Sequence, residues 1–265
     1  MAYTIDGLVL RMKNSGENDK LISVLTAEQG RISVIVKGGR SLKSVSLSAT
    51  QLFAYSNFEI NDRNGFKWLQ RASAIRQFDG LTGSIEKISL ASYFASVAEE
   101  LSGENEPAHD ILRLTLNAFH ALENDTKSPS QIKASFELQC AAMSGFMPDL
   151  SGCQLCGCKD KDFLYLDVMN GRLLCPDCMN RASNQAIRDM ARSEDIREAV
   201  VMLPMTKGVI DAFRHVTSVD SRRMLSFELS KEELYDFARC AETYLLSHLG
   251  HGFDTLEFYK IMTKN

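Results

Sequence analysis

A chain of 265 residues with 45% hydrophobic residues is long enough for two domains with a proper core, and a net charge of −4 argues against a chain coated throughout with nucleic-acid-binding charge. The sequence opens without a basic segment leading into an apolar run, and it contains no uninterrupted apolar stretch of about eighteen residues. These features set aside a membrane span and predict a soluble, cytoplasmic protein. Seven cysteines, four of them in metal-binding spacing, fit a reducing compartment.

The charge is unevenly spread. Residues 1–80 hold eleven Lys/Arg against seven Asp/Glu, a balance of +4, and the remainder carries −8. No acid falls between Glu28 and Glu59, whereas Arg31, Lys37, Arg40 and Lys43 all do. A basic face on an acidic chain is the footprint expected of a local nucleic-acid site.

Taken in order, residues 3–12 read as a first strand around Leu8-Val-Leu10, and Asn14 to Asp19 is turn chemistry. Leu21–Leu25 and Ile32–Val36 read as strands two and three, the latter rich in β-branched residues. Gly38-Gly39 then opens a Ser-rich basic loop from Arg40 to Ser48. Leu52 to Ile60 alternates as a fourth strand, and Asn64-Gly65 turns the chain into a fifth, Phe66 to Arg71. Five short strands without a helical period predict a small barrel of the oligonucleotide-binding (OB) type. Its aromatics, Phe53, Tyr55, Phe58, Phe66 and Trp68, serve either the core or a stacking surface.

Past residue 80 the period becomes helical. Ser84 is a candidate N-cap for a stripe from Ile85 to Leu101, and Ile111 to Leu122 makes a second helix. Glu123 to Ser130 reads as a polar linker. Ile132, Phe136, Cys140, Met143 and Met147 form a third stripe, which Pro148 is expected to end. Cys140 and Cys240 sit on or beside apolar stripes and read as packing residues. Arg181 to Glu198 is strongly charged and reads as exposed. Met205 to Val216 and Lys231 to Leu249 are two further helices, the second with Gly250 at its C-terminal cap. Leu256, Phe258 and Ile261 are expected to pack a last turn back.

Between these helices lies the strongest motif. Cys153-Gln-Leu-Cys156 is followed after eighteen residues by Cys175-Pro-Asp-Cys178. Two C-x2-C knuckles at this spacing are suited to one tetrahedral zinc ion held by four thiolates. Phe163 to Val168 and Arg172 to Leu174 read as a hairpin turning at Asn170-Gly171, which brings the knuckles together. Gly157 supplies a residue free to take positive φ where the first knuckle turns back. Cys158 is a fifth thiol; Cys156 has the better spacing, and spacing alone leaves the choice open. Four thiolates leave no position for water or substrate, so the site reads as structural.

No nucleotide-gripping G-x4-G-K-[ST] and no G-x-S-x-G occurs, so no catalytic constellation is read and the chain is not expected to be an enzyme. A thiol redox enzyme is disfavoured by the missing βαβ pattern. A zinc-ribbon DNA-binding transcription regulator is the alternative reading. It is disfavoured because Lys159, Lys161 and Arg172 are outnumbered by Asp160, Asp162, Asp167 and Asp177.

Gly7-Leu-Val-Leu10, Gly16-Glu-Asn-Asp19, Gly30-Arg-Ile-Ser33, Lys37-Gly38-Gly39-Arg40, Gly145-Phe-Met-Pro148, the Cys153 to Cys178 segment and His248-Leu-Gly250 follow one another in the order and spacing of one family. In these motifs the chain resembles the RecO family of bacterial DNA repair and recombination mediators, nearly end to end. The resemblance implies an α+β protein. An OB-fold barrel would occupy residues 1–80, and a helical domain over 81–265 would carry a zinc module inserted at about 150–180. It also implies binding of single- and double-stranded DNA, annealing of complementary strands, and loading of RecA onto DNA coated by single-strand-binding protein (SSB). RecR, and in many cases RecF, would be partners, together with the SSB C-terminal tail. The candidate DNA contacts are Arg31, Lys37, Arg40, Lys43, Lys67 and Trp68. The helix from Ile132 to Phe146, with Lys133 beside its apolar stripe, is the candidate place for the SSB tail.

Overall fold

The computed structural model describes residues 2–41, 46–159, 161–181 and 201–263. The chain divides into two compact units, residues 1–129 with 253–265, and residues 130–252.

The first unit begins with a closed barrel of β1 (Ala2–Ser15), β2 (Asp19–Thr26), β3 (Gly30–Val36), β4 (Tyr55–Arg63) and β5 (Phe66–Arg76), in the order β1-β2-β3-β5-β4. All joints are antiparallel except β3–β5, where Val34 faces Lys67 and Ile35 faces Trp68. This is the OB barrel that the strand pattern predicts. Its interior is β-branched and aromatic, with Ile22, Val24, Val34, Phe58 and Ile60 fully buried. A bulge in β1 between Val9 and Arg11 keeps Met12 on the core side beyond it.

The fourth strand starts at Tyr55, not Leu52. Phe53 has φ of +66° and leaves the strand path. It packs edge-on against Phe119 at 5.0 Å, and Phe78 does the same at 5.4 Å, so the loop before β4 is tied to the helices that follow the barrel. Those are α1 (Asp79–Thr82), α2 (Ile85–Leu101), α3 (His109–Glu123) and, from the chain's end, α7 (Asp254–Thr263). Ser84 holds the N-cap position of α2 in extended conformation, without a side-chain cap bond. α7 lies along α2, where Tyr93 meets Phe253 and Thr255 Oγ1 donates to Ser96 Oγ at 3.1 Å. Leu256 is buried as expected, but Phe258 and Ile261 are exposed.

One close approach fixes the barrel on these helices. Gly30 has φ of +61°, and an added Cβ would collide with the carbonyls of Gly103 and Glu106. Arg31 N–H donates to Gly103 O at 3.0 Å, and Ala108 N–H to Ala27 O at 2.8 Å. Only glycine permits the backbones to meet here.

The second unit starts with α4 (Pro129–Met143), whose Pro129 sits in the first turn, where a missing N–H costs nothing. It ends at Met143, with Gly145 at φ +87°, well before Pro148. Met143 and Met147 are exposed, so the apolar stripe stops at Cys140. A four-stranded sheet follows, in the order β6-β8-β7-β9, from β6 (Asp149–Cys153), β7 (Phe163–Asp167), β8 (Arg172–Leu174) and β9 (Met202–Thr206). The β7–β8 turn spans residues 168–171 and not Asn170-Gly171 alone. Buried Asp167 organises it, accepting from Asn170 Nδ2 at 2.9 Å and Arg172 Nε at 3.0 Å.

Met205, expected to begin a helix, instead lies on β9 and is fully buried. Helix α5 is Lys207–Ser218, capped by Thr206. Helix α6 is Lys231–Leu249, with a Ser230/Glu233 capping box and Gly250 left-handed at φ +77°. Beyond Arg181, the charged stretch to Glu198 lies outside the described residues. Among the described residues no helix is long and apolar enough to cross a membrane.

Candidate metal centre and nucleic-acid interface

The sheet of the second unit assembles a four-cysteine cluster that could hold a metal ion. β6 delivers Cys153, and the knuckle folds back on itself: Gly157 N–H donates to Cys153 O at 2.7 Å, with Gly157 at φ +74°. Cys175 follows β8 directly, and Cys178 lies one turn into a helical segment. The Sγ atoms of Cys153, Cys156, Cys175 and Cys178 all lie within 4.8 Å of one another. Cys156 and Cys175 sulfurs are 3.7 Å apart. A tetrahedron with metal–sulfur bonds of about 2.3 Å has edges of about 3.8 Å, so the donor set fits one tetrahedral ion.

The chemistry agrees with the geometry. None of the cysteines is in a disulfide. Burial raises the Cys153 thiol, but backbone hydrogen bonds involving Cys175, Cys156 and Leu155 more than offset it and bring it down to about 6. Burial, then the neighbouring sulfurs of Cys175 and Cys156, push Cys178 up to about 12. Four crowded sulfurs cannot all ionise unaided, and a divalent cation removes that conflict. Arg181 adds a donor to Cys178 Sγ at 2.9 Å. Cys158 stands outside the four-sulfur set, its own thiol pushed up to about 12 by burial and then by Cys156 and Cys175. Cys140 and Cys240 are fully buried packing residues.

The basic residues of the barrel separate into two groups. Arg31 Nη2 is 3.6 Å from Glu104, and Lys67 Nζ is 3.7 Å from Asp62. The Arg40 guanidinium donates to Glu17 O at 2.6 Å, and its amide to Asn18 O at 3.1 Å. Gly38 N–H donates to Asp19 Oδ1 at 2.9 Å. The Gly16–Asp19 and Lys37–Arg40 motifs are therefore interlocked turns, and Arg40 has a holding role in them. Lys43 lies outside the described residues.

Lys37 has no such acid. Among the described residues no carboxylate is within ion-pair distance of it, and its Nζ lies over the Trp68 ring, 4.9 Å from the centroid. Trp68 is half-buried on the outward side of β5, opposite Asn61. Arg63, just before the Asn64-Gly65 hairpin tip, joins them. With the Asn61 amide turned to satisfy both groups, its oxygen accepts from Arg63 Nε and Nη2 at 3.2 Å each. Lys37, Arg63, Trp68, Leu69 and Gln70 line a depression of about 430 Å³. Phe66, paired with Arg63, is 61% exposed beside it. Of the five candidate rings, Phe53 and Phe58 are core, Tyr55 is half-buried, and Phe66 and Trp68 are at this face. Sequence reading passed over Arg63, although its place at a legible hairpin tip marks it.

Lys133 does not offer a charge to a partner. It is buried, 2.8 Å from Glu137 on its own helix and 2.6 Å from Glu242 on α6. This overturns its proposed place in a peptide pocket.

Residues 1–78 match the family described as Recombination protein O N terminal, and residues 83–257 match Recombination protein O C terminal. The chain is similar to proteins named DNA repair protein RecO. One from Acetivibrio thermocellus is 25% identical over 97% of this chain and 96% of its own length. Another, from Symbiobacterium thermophilum, is 23% identical over 97% and 96%. A third, from Anaeromyxobacter sp. strain K, is 30% identical over 66% and 69%.

Proposed function

The chain belongs to the RecO family, whose named members are DNA repair proteins, and from that premise we propose a mediator that binds single- and double-stranded DNA and anneals complementary strands. Its role in DNA repair and recombination follows from the family. The finer reading has it act in the cytoplasm, with RecR and in some settings RecF, to load RecA onto SSB-coated DNA. The SSB C-terminal tail would be a further contact. The activity needs no covalent chemistry.

The observation that supports this most is the depression at Lys37, Arg63 and Trp68, where two cations with no carboxylate at ion-pair distance among the described residues flank an aromatic ring. Two strands repel through their phosphates. Cations on one barrel face lower that repulsion and raise the local strand concentration, while base pairing supplies the driving force. The tie of Gly38 to Asp19 holds the Lys37 backbone in place before DNA arrives.

Zinc is the ion proposed for the four cysteines, where it would serve as a structural cross-link. The ribbon is a poor DNA reader. Lys161 is 3.2 Å from Asp177 and Arg172 is 3.0 Å from Asp167, so two of its three cations are already matched by acids.

The test is annealing of complementary strands coated with SSB, by the intact chain and by a Lys37→Ala/Arg63→Ala variant. Acceleration by the chain that the variant loses is expected. No acceleration over the uncatalysed rate would overturn the reading.

A further inference from the structure

We propose that the depression over Trp68 is a pocket for one unpaired nucleobase, which Lys37 covers in the free protein. This rests on the DNA-binding reading above and narrows it to the form of the ligand.

Trp68 is the single tryptophan of the chain. Its backbone is fixed on two sides, by Ile35 of β3 and Asn61 of β4. The ring therefore stands on a closed barrel wall and not on a loop. Above it the Lys37 ammonium makes a cation–π contact at 4.9 Å from the centroid. Arg63 is held beside it by the Asn61 amide. The cavity, about 430 Å³, is ample for a base.

An aromatic face can be covered by a cation or by another ring. A nucleobase is the better fit here, because its sugar-phosphate brings the anion that the displaced Lys37 requires. The Lys37 side chain moves from ring to phosphate while Gly38 stays tied to Asp19, so the exchange needs no backbone rearrangement. Phe66, exposed next to Arg63, offers a second ring for the neighbouring base.

Selectivity follows from geometry. Inside a duplex both faces of each base are covered by neighbouring bases. Away from duplex ends only an unpaired base presents a free face, so the pocket accepts single strands and is vacated when a base pairs and stacks. Annealing then weakens the grip on the product without any energy source.

The test uses the intact chain and the intrinsic fluorescence of Trp68, titrated with a mixed-sequence single strand and with its blunt duplex. Anisotropy of the labelled strands is read in parallel. Saturable quenching by the single strand and none by the duplex are expected. Trp68→Ala should lose about tenfold in single-strand affinity with duplex affinity unchanged. Trp68→Phe should recover part of the loss, and neither change should alter the salt slope. If anisotropy reports single-strand binding while Trp68 fluorescence stays constant, the pocket is overturned and the DNA-binding reading stands. Equal quenching by the duplex overturns the selectivity for unpaired bases. If neither strand binds, both readings fall.

Discussion

Replacing Lys37 and Arg63 with alanine tests whether acidic neighbours decide which barrel cations reach DNA. Each phosphate contact on a single strand adds about 0.7 to the slope of log affinity against log salt. Lys37 and Arg63 have no carboxylate within ion-pair distance among the described residues, whereas Arg31 and Lys67 lie 3.6 and 3.7 Å from Glu104 and Asp62. A phosphate meeting either of the latter must compete with an acid already present. The Lys37→Ala/Arg63→Ala variant should therefore lower the slope by about 1.4. Between about 50 and 200 mM salt the parent should lose roughly sevenfold more affinity than this variant. Arg31→Ala/Lys67→Ala should lower the slope by well under half as much. Anisotropy of a labelled single strand across a salt series measures both. An equal drop for the two pairs would refute the division of the charges by their neighbours.

Four other outcomes are expected. Elemental analysis of chain purified under reducing conditions should find about one zinc per chain. Cys158→Ser should keep that metal and Cys175→Ser should lose it together with thermal stability. Gly30→Ala should cost more than the roughly 1–2 kcal/mol of a left-handed residue, because of the collision at Gly103 and Glu106; Gly16→Ala, with φ +64° and open space, should cost no more than that in a urea titration. Lys133→Ala should destabilise by about 3–5 kcal/mol in the same titration, because it strips the cation from fully buried Glu137. Burial holds the His248 imidazole below its ordinary value of 6.5 despite a hydrogen bond with the Val168 backbone. The unfolded chain therefore takes up the proton first as pH falls. The melting temperature should decline from about pH 6.5 downward until the lower folded value is passed, and His248→Phe should flatten that part of the profile.

What the sequence reveals depends on how local the cause is. The four-cysteine cluster was legible because two knuckles and a hairpin lie within one short segment. Helix α6 was legible to the residue from its apolar spacing and Gly250, and the structure adds a Ser230/Glu233 capping box at its start. β9 was not, since Pro204 argues against a strand; among the described residues β9 pairs only with β7 at the sheet edge, where a missing N–H is tolerated. Phe53 continues the alternation of β4 on paper, but its partner Phe119 lies far along the chain and draws it off the strand. Lys133 looked available for the same reason: Glu242, which neutralises it, is 109 residues away. In the candidate DNA site, charge density drew attention to the loop after β3. The acids that mute Arg31 and Lys67, and the ring that faces Lys37, emerge only once the barrel closes.

The joint between β3 and β5 gives that closure a further meaning. Four of the barrel's five joints run along many antiparallel residues, but this one rests on two parallel pairs, Val34 with Lys67 and Ile35 with Trp68. It is the joint with the fewest paired residues, so its amides should be the first of the barrel to exchange with solvent. A ligand laid across Trp68 and held by Lys37, just beyond the end of β3, would bridge the two strands of that joint. Occupancy would then be felt as rigidity, with slower amide exchange at Ile35 and Trp68, in a wall that is otherwise already firm.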